Sequence, residues 1–487
     1  MKKFTKIAIV AAASLLMTTT LSADKEKRDI KGNMNLKYNQ LPGDVDCLCD
    51  MFKEGIFYGR LRTNTFYWDW KDEVDGKTKS NKNMGIGGSL IYKSARYNGI
   101  SGTLGLYTTQ NPEFFRMDDD EVKFSKAGKD TFSRYNVKKT GHYGMTVLGQ
   151  AYLDYNYQKT SVRIGRQLYH SVFTKSNDTK MVPNAFDGIT ISNKDLPKTT
   201  LRAAFFTTQK LRDHTSAHDV ITFKDSAGES WNNNDDSAIH KGLSHANFTA
   251  AGEDTNHDLI IVDAKNKSIK NLVATVSYLA VPGVVQDIVL EAHYKVPLQN
   301  GWAVRPGIRY FHQTDDGGGA VAGDTNLKGK ALTGYASGVN GSLDSSLFAA
   351  RIDALMPDKK GFFRLGYSAI EDKADIVAPW RGFPTGGFTR AMAQYNWYAN
   401  TKTYMARAAY KFTPKFNASL RYAIQDFDDD KKNVQADSTI WHLDTVTKLT
   451  KKLQMKTRVG IVSADPGSTG KSDVSYNEYR LEFNYLF

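Results

Sequence analysis

The chain has 487 residues, a mean hydropathy of -0.48 and a formal net charge of +13, a length that would suit two to four soluble domains. Its 25 Tyr, 25 Phe and 7 Trp require many positions that are apolar on one side only. After the first two dozen residues no stretch of ~18 apolar residues occurs, which excludes a helical membrane protein. Two cysteines exclude a disulfide-stapled scaffold and a multi-cysteine metal centre.

The first 23 residues have the pattern of an export signal. Lys2, Lys3 and Lys6 precede an apolar run that begins at Ile7, and a small residue, Ala23, offers a cleavage site. The apolar run is too short for a membrane anchor. The sequence therefore predicts that residues 1–23 are cleaved and that the mature chain lies outside the cytoplasm. Residues 24–53 are polar without alternation and are predicted to form an N-terminal extension.

Alternation of apolar and polar residues dominates the remainder of the chain. In the final segment Tyr479, Leu481, Phe483, Tyr485 and Phe487 share one face, while charged residues share the other. Eighteen such segments predict strands: 55–70, 84–96, 100–109, 143–157, 160–169, 186–194, 199–209, 258–267, 270–280, 284–297, 302–313, 345–356, 361–371, 402–412, 416–427, 438–449, 453–464 and 475–487.

The connections between these segments alternate between short and long. Short turns at one edge of a sheet and long loops at the other are typical of an outer-membrane barrel. A closed sheet is also the one strand architecture that pairs every backbone amide in hydrocarbon. We therefore predict an all-β fold, a transmembrane antiparallel β-barrel of eighteen strands over residues 54–487, with sixteen strands as an alternative count.

The parity of each strand predicts which side chains face the lumen, because a slip of one residue would place charge in lipid. This rule places fifteen cations inside: Arg60, Arg62, Arg163, Arg202, Arg305, Arg309, Arg351, Arg364, Arg407, Arg421, Arg458, Arg480, Lys295, Lys411 and Lys456. It places six acids there: Asp154, Glu291, Asp353, Asp444, Glu478 and Glu482. Arginines in excess would attract anions. Alternatively, they pair with acids and serve only to stabilise the barrel wall.

Three motifs and the terminal residue give the barrel a family resemblance. The first strand opens with Phe57-Tyr58-Gly59-Arg60, residues 163–167 read Arg-Ile-Gly-Arg-Gln and lead into residues 182–190, and residues 378–384 read Ala-Pro-Trp-Arg-Gly-Phe-Pro. Together they resemble the OprD-type outer-membrane porins of Gram-negative bacteria. The terminal Phe487, with Tyr485 before it, resembles the assembly signal of outer-membrane barrels.

The resemblance covers residues 52–487 and implies an eighteen-stranded pore for small solutes. It implies that the third and seventh outer loops, 170–185 and 372–401, fold inward to form a constriction. It also implies a row of basic residues along the wall, for which this sequence offers Arg163, Arg202, Arg305, Arg309, Arg351, Arg364, Arg407 and Arg421. The polar start before residue 52, with Cys47 and Cys49, departs from the family.

Weaker patterns allow a metal ion. The acidic runs 118–121 and 426–430 offer the oxygen ligands that calcium prefers, although solvated loop acids are the simpler interpretation. Five histidines, His214, His218, His240, His245 and His257, lie in the fourth outer loop without metal-ligand spacing. Apart from calcium at these carboxylates, no cofactor is predicted. Cys47 and Cys49 are too close in sequence to favour a disulfide between them.

The predicted function is passive diffusion of small hydrophilic solutes across the outer membrane, with a preference for anions or small carboxylates. The predicted partners are these solutes, outer-membrane lipid and lipopolysaccharide, but not nucleic acid, and the sequence allows a monomer or a homotrimer. Two alternatives remain at this stage. One is an outer-membrane hydrolase, for which no serine accompanies the wall histidines His293 and His442. The other is an adhesin or receptor that uses the long loop 210–257.

Overall fold

The computed structural model describes residues 28–76, 78–125, 131–222, 242–322, 341–392, 396–430, 434–467, 471 and 473–487. The predicted signal 1–23 and the central part of the loop 210–257 lie outside these residues. Within the described part of the chain, no helix is long and apolar enough to cross a membrane.

Eighteen antiparallel strands close into one barrel, which confirms the predicted fold and strand number. We number these strands β1 to β18 in chain order. They are β1 (Ile56–Trp70), β2 (Asn81–Lys93), β3 (Ile100–Gln110), β4 (Met145–Tyr157), β5 (Thr160–Gln167), β6 (Ala185–Asn193), β7 (Thr199–Lys210), β8 (Leu259–Asn266), β9 (Leu272–Val281), β10 (Val285–Tyr294), β11 (Ala303–Asp315), β12 (Ser345–Leu355), β13 (Gly361–Ile370), β14 (Lys402–Lys411), β15 (Phe416–Asp426), β16 (Asp437–Lys448), β17 (Leu453–Asp465) and β18 (Tyr476–Leu486).

Short helices, 3-10 turns and short strands lie outside the eighteen barrel strands. Among the described residues, the short helices are α1 (Leu48–Lys53), α2 (Arg134–Thr140), α3 (His245–Ala251) and α4 (Gly318–Ala322), and the 3-10 turns are Glu113–Phe115, Val122–Phe124, Gln299–Gly301 and Pro357–Lys359. The short strands of the same part of the chain are Arg28–Ile30, Leu36–Tyr38, Asp44–Val45, Arg96–Tyr97 and Val296–Pro297. Ser133 and Ser244 cap α2 and α3, since each side chain accepts a hydrogen bond from a backbone N–H in the first turn.

Side-chain exposure alternates along the strands as the sequence predicts. On β18 Tyr479 and Leu481 are 42% and 40% exposed, whereas Glu478 and Glu482 are buried. The exposed residues form the outer, lipid-facing surface, and the buried ones point into the barrel. A one-residue register slip would exchange the two sets, so the pattern fixes the register of each strand.

The barrel closes where β18 pairs with β1, which joins the two ends of the chain. Leu61 lies opposite Tyr485 in this pairing. At its end, Gly59 and Phe487 exchange backbone hydrogen bonds of 2.9 and 3.1 Å. Any side chain at Gly59 would collide with the Phe487 ring, so the glycine of the opening motif makes room for the terminal aromatic residue.

Outer loops fill the barrel near the long-loop end. The largest hydrophobic core lies there: Phe173 in the third loop and Trp380, Phe388 and Trp397 in the seventh are buried against wall residues such as Phe311. The third loop, between β5 and β6, spans residues 168–184, and the seventh, between β13 and β14, spans residues 371–401. The space left for solutes is therefore set by these two segments and the wall opposite them.

One expectation about the cysteines is wrong. The structure joins Cys47 and Cys49 in a disulfide, although their spacing led us to expect none. Their Cα atoms lie 5.5 Å apart, because Cys47 is in an extended conformation just before α1. That separation lies within the usual range for disulfide-linked residues.

Candidate functional site

One carboxylate of the third loop binds two arginines of the wall. Asp178 accepts hydrogen bonds from Arg60 and from Arg62, in the latter case at 2.7 Å, and Arg62 also reaches Glu482 at 2.9 Å. All four side chains are at most 2% exposed. Buried charges are tolerated when they are paired and hydrogen-bonded, so Arg60 and Arg62 serve to hold the loop rather than to contact solutes.

The seventh loop is held through its backbone carbonyl groups. Arg309 donates to the oxygen of Pro384 at 2.6 Å. Arg351 and Arg364 both donate to the oxygen of Gly387, at 2.5 and 2.7 Å. Guanidinium groups donate in several directions at once, which lets one row of wall arginines fix the loop across the lumen.

The same row of arginines shares two carboxylates. Asp353 is fully buried and accepts hydrogen bonds from Arg305 at 2.7 Å and from Arg364 at 2.5 Å. Arg351 lies 3.8 Å from the same carboxylate. Glu291 accepts from Arg309 at 2.8 Å. The two carboxylates therefore offset part of the positive charge that these four arginines present to the lumen.

On β4 to β8, which we call the paired wall, each inward arginine has a carboxylate of its own. Arg163 binds Asp154 through two hydrogen bonds of 2.7 and 3.1 Å. Arg202 binds Asp263 at 2.6 Å and also donates to the carbonyl oxygen of His170 in the third loop. Such one-to-one pairs leave little net charge facing the lumen.

On β13 to β18, which we call the ladder wall, arginines follow one another with fewer acids. Arg407 and Arg421 are cross-strand neighbours. Arg407 donates a hydrogen bond of 2.9 Å to the hydroxyl of Ser419. Arg421 lies 3.8 Å from Asp444, a carboxylate it shares with Arg458, which binds it at 2.9 Å.

The last inward arginine of the ladder wall is Arg480, on β18. It lies 3.4 Å from Glu478, and Arg458 lies 3.8 Å from the same carboxylate. Asp444 and Glu478 are thus each shared between arginines of this wall, Glu482 bonds Arg62 of β1, and no acid pairs with Arg407 among the described residues. The sharing leaves an excess of positive charge on the inner face of β13 to β18.

A cavity of about 230 Å³ separates the ladder wall from the third and seventh loops. Eight of its lining residues are cationic, and within the described part of the chain no carboxylate lines it. The cationic residues are Lys180, Arg212, Arg364, Arg390, Arg407, Arg421, Arg458 and Arg480, and the apolar ones include Phe383, Phe388, Met392 and Met405. This cavity is the candidate solute site, and its lining makes it strongly electropositive.

The arginines predicted from parity lie on the inner face, but they do not form one set. Arg60 and Arg62 hold the third loop, Arg163, Arg202 and Arg305 are paired with carboxylates, Arg309 and Arg351 hold the seventh loop, and Arg364, Arg407, Arg421, Arg458 and Arg480 line the cavity. The predicted acids Asp154, Glu291 and Asp353 are their partners. Lys295 and Lys411 lie exposed at the short-turn end.

Sequence reasoning missed the cationic residues that come from loops. Lys180, Arg212 and Arg390 reach the cavity from the third, fourth and seventh loops, and no alternation predicts the direction of a loop side chain. It also left Arg166 unassigned, although this residue forms a two-point ion pair with Asp187 at 2.7 and 2.6 Å. That pair explains why both residues stand in the motifs of the third loop's flanking strands.

Burial inside the lumen changes the basicity of third-loop residues. Burial, together with the positive charge of Lys175, lowers the pKa of His170 to about 4. Burial also lowers the pKa of the Lys175 amine to about 8. Its Nζ atom donates to the carbonyl oxygen of Ser171 at 2.6 Å. The loop thus carries an imidazole that is neutral at pH 7 and an amine whose charged form is disfavoured by burial.

The predicted calcium sites gain no support from the described residues. There, the one group of three potential ligands within reach of each other is Cys47, Cys49 and Asp50, and its two sulfurs form the disulfide. In the first acidic run Asp119 instead accepts a hydrogen bond from Tyr143, and Glu121 pairs with Lys79.

A closed eighteen-stranded barrel with loops folded into a charged lumen defines the class of outer-membrane porins. The chain belongs to the OprD family of outer-membrane porins, whose model matches residues 138–444. This match confirms the resemblance predicted from the sequence motifs. A comparison with curated proteins gives no match.

Solved porin structures share the fold at low sequence identity. OccAB4 of Acinetobacter baumannii has a TM-score of 0.67 at 15% identity, covering 89% of this chain and 98% of its own. OccK8 (OprE) of Pseudomonas aeruginosa has 0.64 at 15%, covering 90% and 99%. OpdK of Pseudomonas aeruginosa, solved with vanillate, has 0.62 at 13%, with the same coverage. The chain is therefore an outer-membrane protein with a porin fold.

Proposed function

We propose that the protein is a passive diffusion channel that prefers small anions, with small carboxylates as its favoured solutes. The observation that carries this proposal is the cavity between the ladder wall and the two inward loops, lined by eight cationic side chains and, among the described residues, by no acid. The family and fold indicate a channel rather than an enzyme.

The cavity is narrow, and this strengthens the effect of its charges. Charge of one sign within a cleft of low-dielectric walls raises the local concentration of counter-ions. Guanidinium groups also fit a carboxylate through two parallel hydrogen bonds. Because Arg407, Arg421, Arg458 and Arg480 follow one another along the wall, an anion could exchange one partner for the next without a deep trap.

The apolar side of the cavity suits solutes that combine an apolar group with a charged one. Phe383 and Phe388 belong to the seventh loop and Met405 to β14, and all three line the same cavity as the arginines. OpdK has been solved with vanillate, which is a carboxylate on an aromatic ring. That structure supports the solute class we propose for this chain.

The test is a reversal potential across a potassium chloride gradient after reconstitution into a planar bilayer. At low salt the sign should indicate chloride permeating faster than potassium. A small carboxylate such as benzoate, added to one side, should reduce the chloride current by occupying the cavity. A strongly cation-selective channel would contradict the proposal, and an absence of stepwise conductance would contradict the channel itself.

A further inference from the structure

A hairpin precedes the barrel in the chain, and its turn is buried. Residues Arg28–Ile30 pair with Leu36–Tyr38 as a separate two-stranded sheet that has no pairing with the barrel strands. Met34, in the turn, is 1% exposed and Asn35 is 4% exposed. A hairpin of this size cannot bury its own turn, so something else encloses it.

The enclosing surface is the inner wall near the short-turn end. Arg60 of β1 donates a hydrogen bond of 2.5 Å to the carbonyl oxygen of Met34. The Nζ atom of Lys456 on β17 lies 3.8 Å from the Met34 sulfur, and Tyr58 of β1 bonds the carbonyl oxygen of Gln40. The turn of the hairpin therefore lies inside the lumen, between strands on both sides of the barrel seam.

The second strand of the hairpin packs on the neighbouring wall. The Tyr38 ring lies 4.6 Å from that of Tyr58, and the Lys93 ammonium of β2 lies 4.7 Å from the centre of the Tyr38 ring. Leu36 and Tyr38 also pack against a buried cluster that includes Ile91 of β2 and Met181 of the third loop. The hairpin thus fills the space between the wall and the third loop.

Arg60 connects the hairpin directly to the constriction. The same guanidinium group bonds Met34 through Nη1 and Asp178 of the third loop through Nη2. One wall residue therefore holds both the loop that narrows the lumen from the long-loop side and the hairpin that enters from the other side.

The root of the hairpin is fixed outside the lumen. Arg96, in the turn between β2 and β3, donates its backbone N–H to Gly43 at 2.9 Å, and its side chain pairs with Asp44. The N–H of Ala95 donates to Met51 at 2.9 Å. Residues 43–53 thus anchor the segment at the rim, whereas residues 28–38 contact the wall through side chains and one carbonyl group.

We propose that the hairpin 28–38 is a plug that obstructs the short-turn mouth of the lumen and can leave it without disturbing the barrel. Because no barrel strand pairs with it, its release breaks side-chain contacts and single hydrogen bonds but no strand pairing. The proposal rests on the channel function proposed above, since a plug matters only where solutes pass.

The direct experiment is the single-channel conductance of a mature chain that lacks residues 24–40 but keeps the anchor 43–53. Removing the hairpin should raise conductance roughly twofold or more, because it enlarges the free cross-section at the mouth. Wild-type conductance from a variant that is folded, as judged by heat-modifiable migration, would overturn the plug. Higher conductance without anion preference would keep the plug and reject the proposed selectivity.

A second experiment does not depend on a deletion that folds. In a background with Cys47→Ser and Cys49→Ser, Met34→Cys and Lys456→Cys are joined by a short, cleavable bifunctional thiol reagent. Conductance should stay low while the link is present and rise, with bursts of larger openings, after cleavage. Failure of the two thiols to be linked, or equal conductance before and after cleavage, would contradict the proposal.

A point substitution with a matched control completes the test. Tyr38→Ala removes the ring that packs on Tyr58 and Lys93, so the plug should leave more often and the mean conductance should rise. Tyr479→Ala removes a ring of the same size from the lipid-facing surface of β18 and should leave conductance unchanged. Equal conductance in both variants would show that the hairpin lies beside the solute path.

Discussion

The paired wall and the ladder wall use the same residue in opposite ways. On the paired wall Arg163 and Arg202 each have a carboxylate of their own at 2.6–2.7 Å. On the ladder wall Arg407 bonds a serine hydroxyl, and Arg421 shares Asp444 with Arg458. An inward arginine therefore contributes to the electrostatic field of the pore only where no nearby acid neutralises it.

The largest effect should come from Asp353, which stands between the two walls and neutralises several arginines at once. Asp353→Asn leaves Arg305, Arg351 and Arg364 without their carboxylate. Removing one partner from a buried ion pair costs about 3–5 kcal/mol, so the temperature of the heat-induced mobility shift should fall clearly.

The control for this variant is Asp154→Asn on the paired wall, which removes a less buried carboxylate and releases a single arginine. It should lower the transition temperature less. In Asp353→Asn channels that still fold, anion preference should increase, as measured by reversal potential. Equal destabilisation by the two changes would remove the distinction between shared and one-to-one carboxylates.

Selectivity should respond to the ladder wall and not to the paired wall. The double change Arg407→Gln with Arg421→Gln should lower the anion-to-cation permeability ratio roughly fivefold or more, since one charge at 4 Å is worth about 1 kcal/mol even in water. The matched control is Arg163→Gln with Arg202→Gln, for which the reversal potential should move much less. Equal shifts would show that pairing does not decide which arginines act on solutes.

Salt should weaken the contribution of the ladder wall in particular. The Debye length shrinks from about 10 Å at 0.1 M to about 3 Å at 1 M. Anion preference measured at a fixed concentration ratio should therefore fade as the mean salt concentration rises. A preference that stays constant would indicate selection by close contact with the arginines rather than by their field.

The smallest expected effect concerns the third loop, which carries an amine where charge is disfavoured. The pKa of Lys175 is about 8 in the folded protein against an ordinary value of 10.5. Below pH 8 the folded and unfolded chains both hold the proton, and burial of the charge reduces stability. Between pH 8 and 10.5 only the unfolded chain keeps it, so stability should rise with pH.

Lys175→Met should remove that component of the pH dependence and leave the remainder of the profile unchanged. Unfolding in urea, followed at several pH values between 7 and 10, would measure it. A variant with the same pH slope as the wild type would show that Lys175 does not carry the effect.

The sequence predicts the strands and the inward parity well, because lipid on one side imposes a strict period of two. It does not predict pairing. Asp178 is 118 residues from Arg60, and nothing in the period of a strand tells where a loop acid returns to the wall. The count of inward cations against acids therefore overstated the free charge.

The sequence also does not predict where the N-terminal extension lies, because strand periodicity arises only where one face meets lipid. Residues 28–38 contact the inner wall rather than lipid, and Met34 and Asn35 are the buried residues among them, so their sequence shows no alternation. The prediction for Lys295 and Lys411 was wrong. Parity placed them inside, but they lie at strand ends and are exposed to solvent. Period alone carries no information about where a strand stops.

The seam between Gly59 and Phe487 has a consequence for the order in which the molecule forms. Arg62 and Glu482, which bond across it, are separated by 420 residues, and closing a flexible chain of that length would cost about 5 kcal/mol of entropy. That cost falls once the intervening strands have paired in sequence. The seam therefore forms last, and until Phe487 arrives, β1 presents an open edge that a neighbouring chain could occupy.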